Sequence, residues 1–252
     1  IIAIIGASLN IVLDIILVYG IEGYIPAMNI EGAAYASLIA QITMAAISLF
    51  LLIKKTPISL KIGVRFHPEI PRLLNMIGNL FIRTIALNTA LYLATSYATG
   101  YGKEYIAAYT ISLNIWLLGA FMIDGYSSAG NILSGKLLGA KDYKALLGLS
   151  RKLFKYGIII GLVVAGIGAV FYNAIGRVFT KEPLVLEQFY AVFWIVLITQ
   201  PINAVTFIYD GIFKGMGEMK YLRNLLLLAT GLVFIPTLLI FDYFGFKLIA
   251  IW

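Results

Sequence analysis

Apolar stretches about as long as a bilayer-spanning helix recur along the chain, separated by short segments that hold most of its charge. Crossing a bilayer takes about 20 predominantly apolar residues in helical form. The pattern predicts seven such spans, S1 to S7, at 1–19, 32–53, 73–99, 106–133, 156–179, 189–209 and 222–241. An eighth, S8, opens at 246–252. Pro71 falls near the first turn of S3, where proline is tolerated. Pro236 lies inside S7 and predicts a kink. The chain opens inside one apolar run, IIAIIGASLN, and stops a few residues into another, FKLIAIW. The expectation is therefore a piece of a longer membrane protein, cut within helices.

Composition agrees with the pattern. Apolar residues make up 61% of the chain and charged residues 12%, against about 25% charged in an ordinary soluble domain. Mean hydropathy is +0.94. There is no Cys and one His, which excludes a disulfide framework and a thiol nucleophile and leaves little for a metal site. The fold class expected is all-α, a polytopic transmembrane helical bundle.

Charge decides the orientation. Lys54, Lys55, Lys61, Arg65 and Arg72 lie between S2 and S3, and Lys136, Lys141, Lys144, Arg151, Lys152 and Lys155 lie between S4 and S5. Lys214, Lys220 and Arg223 lie between S6 and S7. The opposite loops hold only Lys103, Arg177, Lys181 and Lys247. The alternation makes the rich side cytoplasmic, so S1 runs from inside to outside. The net charge of +7 is then explained by topology and anionic headgroups, and no nucleic-acid partner is expected. Segment 57–71 reads as an interfacial stretch of weak amphipathicity.

Ionisable and amide side chains inside hydrocarbon are costly and become functional candidates. In S1, Asn10 and Asp14 are four residues apart and share a face. Asp14 lies about 9 Å before the outer end at about 1.5 Å per residue. No basic residue of its span neutralises it, so it is the candidate to load and release a proton; the alternative is an acid that only ties helices together. In S2, Ser37, Gln41, Met44 and Ser48 form one stripe. It reads equally as a cavity face or as polar contact between helices. In S3, Asn75, Asn79 and Arg83 follow at four-residue steps, and in S4 Asp124, Ser127, Ser128 and Asn131 share a face. Arg83 and Asp124 lie about 15 Å and about 14 Å from the cytoplasmic end, so an ion pair between them is expected. In S6, Thr199, Asn203, Thr206 and Asp210 form a stripe in which Asp210, beside Lys214, reads as a solvated interface charge. Gly157, Gly161, Gly166 and Gly168 of S5 read as close-packing positions. Several polar stripes on separate helices imply a water-accessible cavity, which favours a transporter over an anchor.

The residues carrying these stripes resemble the multidrug and toxic compound extrusion (MATE) family. Asn10-Ile11-Val12-Leu13-Asp14, followed by Gly32-Ala33-Ala34-Tyr35-Ala36-Ser37 and Gln41, is similar to the family's fifth and sixth helices. WLLGAFMIDGYSSAGNILSGKLLGAKD (116–142) resembles its eighth helix and the next loop, and QPINAVTFIYDGIFKGMGEMKYLRN (200–224) its tenth. Within the family the likeness is to the DNA-damage-inducible protein F group. The resemblance implies a two-lobe (6+6) architecture, with 1–53 ending the N-lobe, 54–72 an inter-lobe loop and 73–252 in the C-lobe. The chain would supply helices five to eleven and the start of twelve.

By the same resemblance, Asn10 and Asp14 match a cavity pair implicated in cation coupling, and Ser37 stands where many relatives have Thr. Asn79 and Asn203 occupy positions that are acidic in sodium-type relatives, which favours a proton as the coupling ion over sodium. Gln41, Asn75, Asn79, Arg83, Asp124, Ser128, Asn131, Thr199, Asn203 and Thr206 are expected to line the cavity. The implied activity is cation-coupled export of organic cations or other amphipathic molecules from the plasma membrane by a monomer. No cofactor beyond the coupling ion is implied. Two transport alternatives are a sodium-coupled exporter and a lipid-linked oligosaccharide flippase, for which Arg83 alone is thin support. A membrane-embedded enzyme would need a nucleophile–base pair, and the one histidine, His67, falls in a cytoplasmic loop.

Overall fold

The structure, a computed structural model, describes residues 2–21, 24–56 and 68–252. The basic positions Lys61 and Arg65, the histidine His67 and most of the expected interfacial stretch lie outside the described residues. The chain divides into two compact units, Ile1–His67 and Pro68–Trp252. Among the described residues, seven helical stretches are long and apolar enough to cross a membrane, the last of them Met219–Tyr243.

The first unit is a helical hairpin, α1 (Ile2–Tyr19) and α2 (Asn29–Lys55). Two glycines let the helices touch. Gly32 backs onto the Leu17 carbonyl and Gly6 lies under the Met44 sulfur, with no room for a methyl group at either place. The Met28 amide donates to the Leu17 carbonyl at 2.9 Å and ties the start of α2 to α1. Lys54 and Lys55 end α2, where cations suit the helix dipole.

The second unit begins with α3 (Ile70–Tyr101) and α4 (Lys103–Gly139). Only Gly102 separates them, at φ 126°, a conformation closed to other residues at low cost. Then follow α5 (Tyr143–Val170), α6 (Tyr172–Phe179), α7 (Pro183–Met216) and α8 (Met219–Leu228). A π-helical turn (Ala229–Phe234) leads into α9 (Ile235–Tyr243), and α10 (Leu248–Ile251) closes the described chain.

Two expectations change in form. The predicted span 156–179 is two helices. The Asp142 side chain accepts from the Ala145 amide at 2.9 Å and starts α5 well before the apolar run. The helix then breaks at Phe171. The short α6 docks on α7 through the Tyr172 hydroxyl, which donates to the Tyr190 carbonyl at 2.7 Å. The disturbance from Pro236 takes the form of the π-helical turn just before it. A proline offers no N–H to the turn above, and a widened turn accommodates the missing bond.

The core of the second unit is built on α7, which buries residues along its length from Val185 to Ile212. Toward the outer end Phe189 and Phe193 stack at 4.5 Å and are fully buried. Toward the basic-rich end Ile123, Leu153, Ala204, Ile208 and Ile212 form a second cluster. Helix association in lipid depends on close packing and on hydrogen bonds between helices. Here α4 and α7 use both. The Ser127 hydroxyl donates to the Phe207 carbonyl at 2.6 Å and Ser134 to the Ile212 carbonyl at 3.1 Å. Gly211 and Gly215 lie against the Ser127 and Asn131 carbonyls, where a side chain would collide with backbone. Of the S5 glycines, Gly157, Gly161 and Gly168 accept Ile208, Pro201 and Leu197 of α7, whereas Gly166 faces open space.

These contacts set a testable contrast. Gly215→Ala forces α4 and α7 apart and should cost about 1–3 kcal/mol, the usual range for overpacking. Gly166→Ala should be neutral or gain up to about 1 kcal/mol from helix propensity. Thermal unfolding of the purified protein in detergent checks both.

Candidate functional site

In the first unit, α1 and α2 bring together three of the predicted residues. The four-residue spacing sets Asn10 and Asp14 on one face of α1. Asn10 Nδ2 donates to Ser37 Oγ of α2 at 3.4 Å. One turn further along, Asp14 Oδ1 is buried and has no hydrogen-bond partner. No ion pair reaches Asp14 among the described residues. Gln41 is exposed, one turn beyond Ser37. This corner of the hairpin therefore holds a carboxyl group beside an amide and a hydroxyl.

In the second unit, the polar faces of α3, α7 and α8 meet. Asn79 is buried, and its Nδ2 donates to the Asn75 carbonyl at 2.7 Å and to Asn75 Oδ1 at 2.6 Å. Its Oδ1 accepts from Arg223 Nη1 of α8 at 2.6 Å. One turn along α3, Arg83 Nη2 donates to Asp210 Oδ1 of α7 at 2.6 Å, and Lys214 Nζ meets the other oxygen of Asp210 at 2.5 Å. The Asp210 side chain is 13% exposed and that of Arg83 21%. A cavity of about 320 Å³ opens beside the pair and is lined in part by Arg83, Thr206, Asp210 and Leu225.

The expected Arg83–Asp124 pair is not formed. Depth along the helix axis put Arg83 and Asp124 at the same level, but direction around the axis of α4 keeps them apart. Ile123 is fully buried and Ser127 bonds across to α7. Asp124 is turned about 100° from Ile123 and is exposed. Asp210 faces α3 instead and takes the charge, so it is not the solvated interface group the sequence suggested. Arg223 was also read only as a topology charge. The signal that finds Asp210 is the unmatched Arg83 together with a carboxylate four residues before Lys214.

The remaining predicted residues are spread out. Thr199 and Thr206 return their hydroxyls to carbonyls of their own helix. Asn203 Nδ2 is buried without a partner. Ser128 is exposed, while the Asn131 carbonyl sits in the α4–α7 contact. Asn75, Asn79, Arg83 and Thr206 thus gather around one polar region, and Asp124 and Ser128 stand outside it.

A family model described as MatE matches residues 80–240, more than half of the chain. This chain belongs to the MatE family. Among similar proteins, Protein DETOXIFICATION 42 of Arabidopsis thaliana is 29% identical over 249 residues, covering 99% of this chain and 47% of that protein. DNA damage-inducible protein F of Escherichia coli is 26% identical, covering 97% of this chain and 53% of its own length. In fold, a mutant of the Vibrio cholerae MATE transporter VcmN aligns with a TM-score of 0.87 at 17% identity, covering 99% of this chain and 56% of that one. The chain spans about half the length of the MatE relatives it matches.

The two carboxylates predict unequal outcomes on substitution. Asp210→Asn leaves Arg83 and Lys214 without their counter-charge and should destabilise by about 1–3 kcal/mol, as when a charged hydrogen-bond partner is removed. Asp124→Asn should stay within about 0.5 kcal/mol, as for an exposed site without partners. Denaturation midpoints of the two variants in detergent test the assignment.

Proposed function

We propose that the protein is a proton-coupled antiporter that exports small amphipathic molecules across the plasma membrane, with this chain supplying parts of both lobes. The observation that carries this reading is the Asp14 carboxyl, with one oxygen buried and unpartnered beside the Asn10–Ser37 bond. An ionised oxygen shut away from water and from donors is unfavourable. A proton removes the charge and turns the group into a donor. No cation of the protein competes for that place among the described residues.

Coupling follows if the two arrangements of an alternating-access cycle hold this proton with different affinity. In one arrangement Asp14 stays enclosed and protonated. In the other it meets water, loses the proton and lets the substrate side reorganise. Asn10 and Ser37 fix the faces of α1 and α2 that enclose it. Asn79 and Asn203, neutral where the sodium-type pattern has acids, favour a proton over sodium. The bilayer is the obligate partner, and a single copy of the full protein is the working unit.

The direct experiment places Asp14→Asn in the full-length protein, reconstituted in vesicles carrying a pH gradient. Substrate-driven proton release should fall at least tenfold while the protein folds normally. Undiminished exchange in this variant would rule out the role given to Asp14.

A further inference from the structure

On the basic-rich side of the second unit, one exposed helix face carries cations and no acids. The opening turns of α5, YKALLGLSRKLFK (143–155), hold Lys144, Arg151, Lys152 and Lys155 and neither Asp nor Glu. All four are exposed, and no ion pair reaches them among the described residues. At about 100° per residue, Lys144, Arg151 and Lys155 point within about 40° of one another, and Lys152 lies about 60° to one side. The opposite face packs inward through Leu153 and Gly157. Asp142, the acid just before the helix, accepts from the Ala145 amide.

The positive-inside rule accounts for cations on this side of the bilayer, but acids weigh little in it. It therefore does not require an acid-free face. Other cations at this end of the unit have partners: Arg72 meets Glu69, Lys214 meets Asp210, and Arg223 donates to Asn79 and Asn224. Helix stability does not ask for the stripe either. Arg151 and Lys155, four residues apart, repel each other, as do Lys152 and Lys155, three apart. Lys144, in the first turn, opposes the helix dipole. An anion from outside the chain relieves both.

The continuation of the face decides which anion fits. Inward of Lys155 the same side of α5 becomes apolar, with Ile159 and Leu162 both exposed and within about 40° of Lys155. A dissolved anion gains nothing from that apolar surface, whereas a phospholipid brings phosphate and acyl chain in this order. Arg151 stands about 6 Å outward of Lys155, and Lys144 about 16 Å. The inner three cations are thus at headgroup level, and Lys144 lies beyond it.

We propose that this face of α5 binds anionic phospholipid of the cytoplasmic leaflet, with its phosphate at Arg151, Lys152 and Lys155 and an acyl chain along Ile159 and Leu162. The proposal is independent of Asp14 and of the transported substrate.

The test reads lipid next to α5 in the full-length protein. This chain has no Cys, and any elsewhere in the protein is replaced by Ser. Bimane is attached at Ile159→Cys, and the protein is placed in phosphatidylcholine vesicles. Quenching by 5-doxyl phosphatidylglycerol is compared with that by 5-doxyl phosphatidylcholine at equal mole fraction. Half-quenching should need at least about threefold less of the anionic lipid, the attraction being one of several basic side chains to a charged headgroup. Arg151→Gln, Lys152→Gln and Lys155→Gln together should make the two lipids equal, and Lys144→Gln alone should change least. Lys54→Gln, Arg72→Gln and Lys220→Gln together remove the same charge elsewhere and should leave the preference intact.

Equal quenching in the otherwise unaltered protein overturns the proposal, and so does loss of the preference in the control triple, which would make it a matter of net charge. Should the α5 triple fail to fold, Lys152→Gln with Lys155→Gln should lower the preference in the same direction. Labelled polyaspartate that binds through these cations while the lipids quench equally would assign the face to an acidic protein and overturn the lipid assignment. Asp14→Asn protein should keep the preference, so failure of proton coupling and failure of this site are read separately.

Discussion

A polar group set in hydrocarbon has to find its partner within the protein, because lipid offers none. The helices of this chain meet that constraint in three ways. Hydroxyls such as Thr84, Thr89 and Thr110 turn back onto carbonyls one turn earlier. Ser127 and Ser134 donate across to α7 and hold it against α4. The charged groups gather where α3, α7 and α8 meet, with Asp210 between Arg83 and Lys214. Asp14 is different: its buried oxygen is left without a donor. That unpartnered oxygen is the observation on which the proposed role of Asp14 in proton coupling rests.

Packing and chemistry are divided between elements. The α4–α7 contact relies on Gly211, Gly215 and small polar residues, which bring backbone close to backbone. The α5–α7 contact receives larger side chains into glycine gaps. These faces leave no space for ligand. The cavity lies on the other side of α7, toward α3 and α8, next to the π-helical turn. That turn is a departure from regular helix beside this cavity, of the kind often found where helices carry function.

Much of the architecture was legible in the sequence because the bilayer imposes it. Hydrocarbon thickness fixes the length of apolar runs, and the positive-inside rule fixes their direction. Helix ends were not legible: α5 starts at an Asp142 cap outside the apolar run, which hydropathy does not register. The Asn10–Asp14 face was legible through its four-residue spacing, and its neighbour Ser37 came from the resemblance. The partner of Arg83 was not, since sequence spacing gives depth along one helix but not the rotation of another. Asp210 reads from the sequence as lying at the cytoplasmic end of its span, shallower than Asp124, and only the burial of Ile123 and Ser127 tells which way α4 is turned.

If Asp14 carries the proposed coupling proton, substrate binding has to release it. Infrared difference spectra of the full-length protein, wild type against Asp14→Asn, isolate the carboxyl band of this side chain. A protonated-carboxyl band assignable to Asp14 should diminish when transported substrate is added, since linked sites must influence each other reciprocally. A band that is absent at every pH where transport runs, or present and indifferent to substrate, would contradict it.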